Sequence, residues 1–179
     1  MVPIVSFVGR HNSGKTSILT RVIAYLKQQG IKTAIIKHAA HGLSIQPVTD
    51  SDRLFSAGAT TVYVASPDVA IHYSRYDQQK SLHDLYEKVA EGVDLVITEG
   101  YKQEATKKIE VLRREISTKP LRLENLIARV CDFHLDHQVP EFAFEQHQEI
   151  AEFLIETLQL RKTSTKDSTQ IGTELETER

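Results

Sequence analysis

The sequence predicts an α/β fold, a mostly parallel central sheet with helices on both faces, and three observations predict it. Gly9-Arg10-His11-Asn12-Ser13-Gly14-Lys15-Thr16 matches the phosphate-loop pattern G-x-x-x-x-G-K-[ST] at every constrained position. Two runs of strand type, Pro3 to Val8 and Lys32 to Ile36, flank a stretch from Lys15 to Gln29 that carries Ile18, Leu19, Val22, Ile23 and Leu26 at helical spacing. Asp94-Leu95-Val96-Ile97-Thr98-Glu99 reads as a strand buried on both faces and ended by an acid. Strand, glycine loop, helix and strand in that order make a P-loop NTPase fold, with ligands at the carboxyl ends of parallel strands.

The loop carries its own chemistry. Successive backbone N–H groups from Asn12 to Thr16 converge on phosphate oxygens, aided by the partial positive charge at the start of the helix. Gly9 and Gly14 allow the tight turn and the close approach of backbone to anion. Lys15 bridges the terminal phosphates as a point charge, and Thr16 offers its hydroxyl to Mg²⁺. At the end of the later strand, Glu99 emerges on the same edge and is the expected second contact to Mg²⁺. Asp94 begins that strand and belongs to the opposite edge.

The whole chain sets wider bounds. Its 179 residues, 40% hydrophobic and 26% charged, suit one domain over 1–160 with a full core. A net charge of −2 argues against nucleic acid or an anionic membrane as the main partner. Cys131 is the only cysteine, which excludes an intrachain disulfide and a four-cysteine zinc site. No apolar run reaches bilayer length, and the first strand leaves no room for a signal peptide, so a cytoplasmic location is expected.

In order, Gln28-Gln29-Gly30 ends the first helix and the second strand follows. At its exit, Lys37, His38 and His41 would bind anionic groups or, on the weaker signal of two histidines, a metal. Asp50 or Ser51 is the expected N-cap of a short helix closed by Gly58, and Asp50 is also placed to reach the Mg²⁺ shell. Thr61 to Ala65 and Ala70 to Tyr73 read as a hairpin at a sheet edge. Ser81 to Glu91 forms a packing helix.

Beyond Glu99, Lys102 and Lys108 either add positive charge near the site or belong to a solvated loop. Ile109 to Leu112 and Glu124 to Asp132 are strands, and the loop at Asp132 is a natural neighbour for a base. Val139 to Phe144 is extended and Glu145 to Leu158 is the closing helix. Residues 161–179, rich in Thr, Ser, Lys and Glu, are expected to be a disordered tail.

Taken together, the phosphate loop, Lys37-His38-x-x-His41-Gly42, Asp50-Ser51-x-Arg53 with Ala57-Gly58-Ala59, and Asp94-Leu95-Val96-Ile97-x-Glu99-Gly100-Tyr101-Lys102 occur in one order. That order resembles the MobB family, the GTP-binding adapter of molybdopterin-guanine dinucleotide biosynthesis, over roughly Met1 to Leu158. The resemblance implies a dethiobiotin-synthetase-like fold and a homodimer working beside a MobA-type molybdenum cofactor guanylyltransferase on molybdopterin. It further implies GTP and Mg²⁺ as ligands, with slow GTP hydrolysis. By matching position, Ser13 to Ser17 hold phosphates, Thr16 and Glu99 serve Mg²⁺, and His38, His41, Asp50 and Arg53 border the site. This chain departs from the family at Val48-Thr49, where Gly-Lys is usual, and at Arg10-His11.

No Asn-Lys-x-Asp motif is present, so the guanine preference rests on the resemblance alone. Two other functions fit the residues. One is a small-molecule kinase or synthetase related to dethiobiotin synthetase, with Lys37 and His38 positioning the second substrate. The other is a metal-delivery GTPase using His38 and His41.

Overall fold

The computed structural model describes residues 1–39, 42–135 and 139–161, so His41 and residues 162–179 of the expected tail lie outside the description. In chain order the elements are β1 (Ile4–Val8), α1 (Lys15–Gln28), β2 (Thr33–Lys37), α2 (Asp50–Ser56), β3 (Thr61–Ala65), β4 (Ala70–Ser74), α3 (Leu82–Val89), β5 (Leu95–Glu99), β6 (Lys107–Val111), β7 (Leu126–Val130), β8 (Glu141–Phe142) and α4 (His147–Thr157). They fall into two units: Ala39–Leu85, and the remainder of the chain.

In the larger unit six strands form one sheet in the order β2-β5-β1-β6-β7-β8. All five pairings are parallel. The alternation of each strand sorts its residues between two faces. One face is apolar: Val5, Phe7, Leu95, Ile97, Ile109 and Val111 are all at most 1% exposed and pack with α1 and α4. The two helices contact each other, Leu26, Ile150 and Leu154 belonging to the same buried core, and the Tyr25 hydroxyl donates to Glu152 Oε1 at 2.9 Å. Among the described residues no helix is long and apolar enough to cross a membrane.

The opposite face is buried too but mixes polar side chains with apolar ones such as Val8, Val96 and Leu112, which the sequence did not suggest. Thr98 donates to Ser6 Oγ at 2.7 Å, and Glu110 meets Arg129 Nε at 3.0 Å while accepting the Leu121 N–H at 2.6 Å. Lys108 is 1% exposed and donates to the carbonyls of Glu104, Thr106 and Glu124. It is therefore a clamp between loop segments and not a charge beside the site, because three carbonyls replace the water that its ammonium loses.

The smaller unit is built from local contacts. The N-cap of α2 is Thr49, one residue before the position read from the sequence, in a reciprocal box with Asp52. Asp52 also accepts the Tyr73 hydroxyl at 2.9 Å. Arg75 lies over the Phe55 ring at 4.2 Å. The predicted hairpin forms, with Ala65 opposite Ala70, but as a separate two-stranded sheet and not as an edge of the central one.

Candidate functional site

β1 runs straight into the phosphate loop, and the loop's conformation explains its glycines. A Cβ on Gly9 would collide with the Val111 carbonyl and the Ser13 hydroxyl. Gly14 has φ 91°, in the left-handed region that favours glycine, and forms the N-cap of α1. No side chain caps α1 and its first turn holds no acid. Its first N–H groups are thus left for an anion.

Register brings the other groups to this end. Glu99 lies opposite Phe7 in β1 and opposite Lys37 in β2. Its backbone is tied on both sides, since His38 N–H donates to the Glu99 carbonyl at 2.9 Å and Gly100 N–H to that of Phe7 at 2.9 Å. The Thr16 hydroxyl sits 3.0 and 2.9 Å from the two Glu99 carboxylate oxygens. Lys37 Nζ stands 3.1 Å from Glu99 Oε2 and 3.3 Å from Thr16 Oγ1. Asp94 is at the other edge, accepting the Lys32 N–H at 2.8 Å.

Lys15 Nζ folds back onto the loop and donates to the carbonyls of Arg10 at 2.7 Å and Gly9 at 3.3 Å. Burial lowers its pKa from the ordinary lysine value; the Glu99 carboxylate works against that shift and the Lys37 ammonium adds to it. Lys37 is thus paired directly with the carboxylate while Lys15 only feels its field. An arriving polyphosphate would relieve the repulsion between the two ammonium groups.

Thr16 and Glu99 present hard oxygen donors side by side, the chemistry that Mg²⁺ takes, and the Lys37 ammonium lies against both of them. Among the described residues no three His, Cys, Asp or Glu side chains gather as a metal cage. His38 is exposed beside the site's edge, its ring 5.0 Å from that of Tyr101. Asp50 and Arg53 belong to the smaller unit and pair with each other at 3.3 Å, the Asp50 side chain being 95% exposed.

Two residues near the loop were not visible in the sequence. Arg113, following β6, lies over the ring of Phe144, following β8, with its guanidinium carbon 4.4 Å from the ring centroid. Both border Gly14. Arg113 gave no signal beyond being one of two arginines in a charged loop, and only the β6–β7–β8 adjacency could have found the pair.

A phosphate loop opening an uncapped helix at the carboxyl edge of a parallel sheet, with a hydroxyl and a carboxylate side by side, defines a protein of the P-loop NTPase class. The family profile of molybdopterin guanine dinucleotide synthesis protein B, MobB, matches residues 4–132, and the chain belongs to that family. It is 28% identical over 166 residues to the molybdopterin-guanine dinucleotide biosynthesis adapter protein of Escherichia coli K12, covering 89% of this chain and 95% of that one. The adapter protein of Haemophilus influenzae is 33% identical over 122 residues, covering 67% and 68%. A crystal structure of molybdopterin-guanine biosynthesis protein B superposes with a TM-score of 0.72 at 30% identity, covering 86% of this chain and 99% of that one. For Bacillus subtilis MobB the values are 0.70 and 28%, covering 90% and 99%.

Proposed function

We infer that this chain is an adapter of molybdopterin-guanine dinucleotide biosynthesis that binds GTP with Mg²⁺ in its phosphate loop and hydrolyses it slowly. Family membership supports the adapter role. The observation that carries the nucleotide is the uncapped N-terminus of α1 with Thr16, Glu99 and Lys37 joined beside it. The backbone from Ser13 to Ser17 would hold phosphate oxygens, and Lys15 would leave the Gly9 and Arg10 carbonyls for the terminal phosphates. Thr16 and Glu99 would hold Mg²⁺, which supplies neutralisation of phosphate charge when bound. Lys37 would then turn from Glu99 toward the same anion, with His38 bordering it.

Among the described residues the side chains joined to Thr16 are Glu99, assigned here to Mg²⁺, and the Lys37 ammonium, neither of them free to act as a base for water, which fits slow turnover and a partner that performs the group transfer. That partner is a MobA-type guanylyltransferase in the cytoplasm, and the adapter acts as a homodimer. Calorimetry of the parent and of Glu99→Gln, in Mg²⁺ and in EDTA, tests the core of this reading. Glu99→Gln should lose most of the Mg²⁺-dependent gain in GTP affinity while binding in EDTA is kept. Equal losses in both would remove Glu99 from the metal, and rapid phosphoryl transfer to a metabolite would favour a kinase instead.

A further inference from the structure

The loop and the Glu99 cluster account for phosphates and leave the base unassigned. Thr16, Glu99 and Lys37 gather on the β5 and β2 side of β1; on the other side, the segments leaving β6 and β8 meet at Gly14. A Cβ on Gly14 would stand 3.0 Å from the Phe144 ring and 3.2 Å from Arg113 Nη2. The Arg113 guanidinium covers that ring, and its Nε is buried with no hydrogen-bond partner among the described residues. The backbone N–H of Arg114 donates to Asp132 Oδ1 at 2.7 Å, which ties the exit of β6 to that of β7. Asp132 is otherwise exposed, and its Oδ2 accepts no hydrogen bond among the described residues. Glu141 Oε2 fixes the stretch after β7 to β8, at 2.9 Å from His134 Nδ1 and 3.2 Å from the Leu135 N–H.

We propose that this cluster is the nucleoside seat: the purine lies against the Arg113–Phe144 pair, and the Asp132 carboxylate reads its edge. The proposal rests on the phosphate-loop reading and extends it to base selection. A planar guanidinium held on an aromatic ring is a flat, prepaid surface for a purine face, and it accepts any base. Selection comes from the carboxylate. Guanine presents two adjacent N–H donors, N1 and N2, on its pairing edge, and a carboxylate accepts both. Adenine presents a ring acceptor at N1, which a carboxylate repels. Asp132 thus supplies a guanine preference without an Asn-Lys-x-Asp sequence, since its free oxygen is set by the Arg114 amide and not by its neighbours in the chain.

The test is calorimetry of the full chain with GTP, ATP and inorganic tripolyphosphate, each with Mg²⁺, on the parent, Asp132→Asn, Arg113→Ala and Phe144→Leu. Asp132→Asn should weaken GTP on the order of tenfold, leave tripolyphosphate unchanged and ATP unchanged or tighter, and so close the gap between the nucleotides. Arg113→Ala and Phe144→Leu should weaken GTP and ATP alike, by about fivefold or more, with tripolyphosphate unchanged. Retained tripolyphosphate binding also reports that each variant is folded. A GTP-to-ATP ratio unmoved by Asp132→Asn, or a parent that binds both equally, would overturn the selective role. Tripolyphosphate lost in parallel with GTP in Arg113→Ala would make that residue a phosphate ligand and overturn the seat. A parent that binds no tripolyphosphate would instead defeat the phosphate-loop reading, and the seat with it.

Discussion

Two helix beginnings in this chain are built in opposite ways. At α2, Thr49 accepts from the Asp52 N–H, Asp52 accepts from the Thr49 N–H at 2.9 Å, and Asp50 and Asp52 put negative charge in the first turn. At α1 the cap is a glycine, no side chain accepts a first-turn N–H, and the first residue is a lysine. Capping groups are worth roughly 1 kcal/mol each and first-turn acids several tenths more, so α1 forgoes stability that α2 takes. The difference marks where an anion is expected from outside, because the same N–H groups cannot serve an internal cap and a phosphate together.

The largest break in that contrast comes from Lys15→Ala. Among the described residues the ammonium is bonded only to loop carbonyls, so the variant should keep its melting temperature. Its GTP affinity should fall roughly a hundredfold or more, the loss of charge-assisted bonds to the terminal phosphates. Calorimetry against the parent measures it, and unchanged affinity would remove the loop from nucleotide binding.

A smaller effect should follow from making α1 resemble α2. Ser17→Asp places an acid at the third residue of α1, where Asp52 stands in α2. The free protein should gain about 0.3–1 kcal/mol from the helix dipole. Nucleotide affinity should drop on the order of tenfold, since the new carboxylate faces the phosphates. Stability and affinity moving together in either direction would show that the open helix end is not what the nucleotide uses.

The contrast also explains what the sequence could reveal. The loop residues are contiguous, and the apolar run ended by Glu99 shows by itself which edge that acid must reach, so Thr16 and Glu99 were both legible. Thr49 was missed as a cap because Asp stands where the familiar capping box has Glu or Gln, although the three-residue spacing to Asp52 was there to be read. Lys108 was misread because nothing local tells that the carbonyls of Glu104, Thr106 and Glu124 enclose it. Arg113 and Phe144 depend on the spatial order of β6, β7 and β8, which periodicity does not contain.

The gentlest test perturbs the closed helix end by acid. Bonds from the Thr49 backbone N–H and hydroxyl and from the Tyr73 hydroxyl hold the Asp52 carboxyl below its ordinary value of 3.8. A carboxylate whose pKa is depressed by folding contributes stability above the unfolded value, and that contribution is lost as pH falls through the lower, folded one. The parent should therefore lose stability as pH drops below about 4. In Asp52→Asn the decline over the same window should be shallower, while stability at neutral pH is already reduced. Parallel acid curves for the two proteins would mean that the bonds to Asp52 stabilise its charged and neutral forms equally. The α2 box would then be geometry without electrostatic content, and the contrast with α1 would rest on the open end alone.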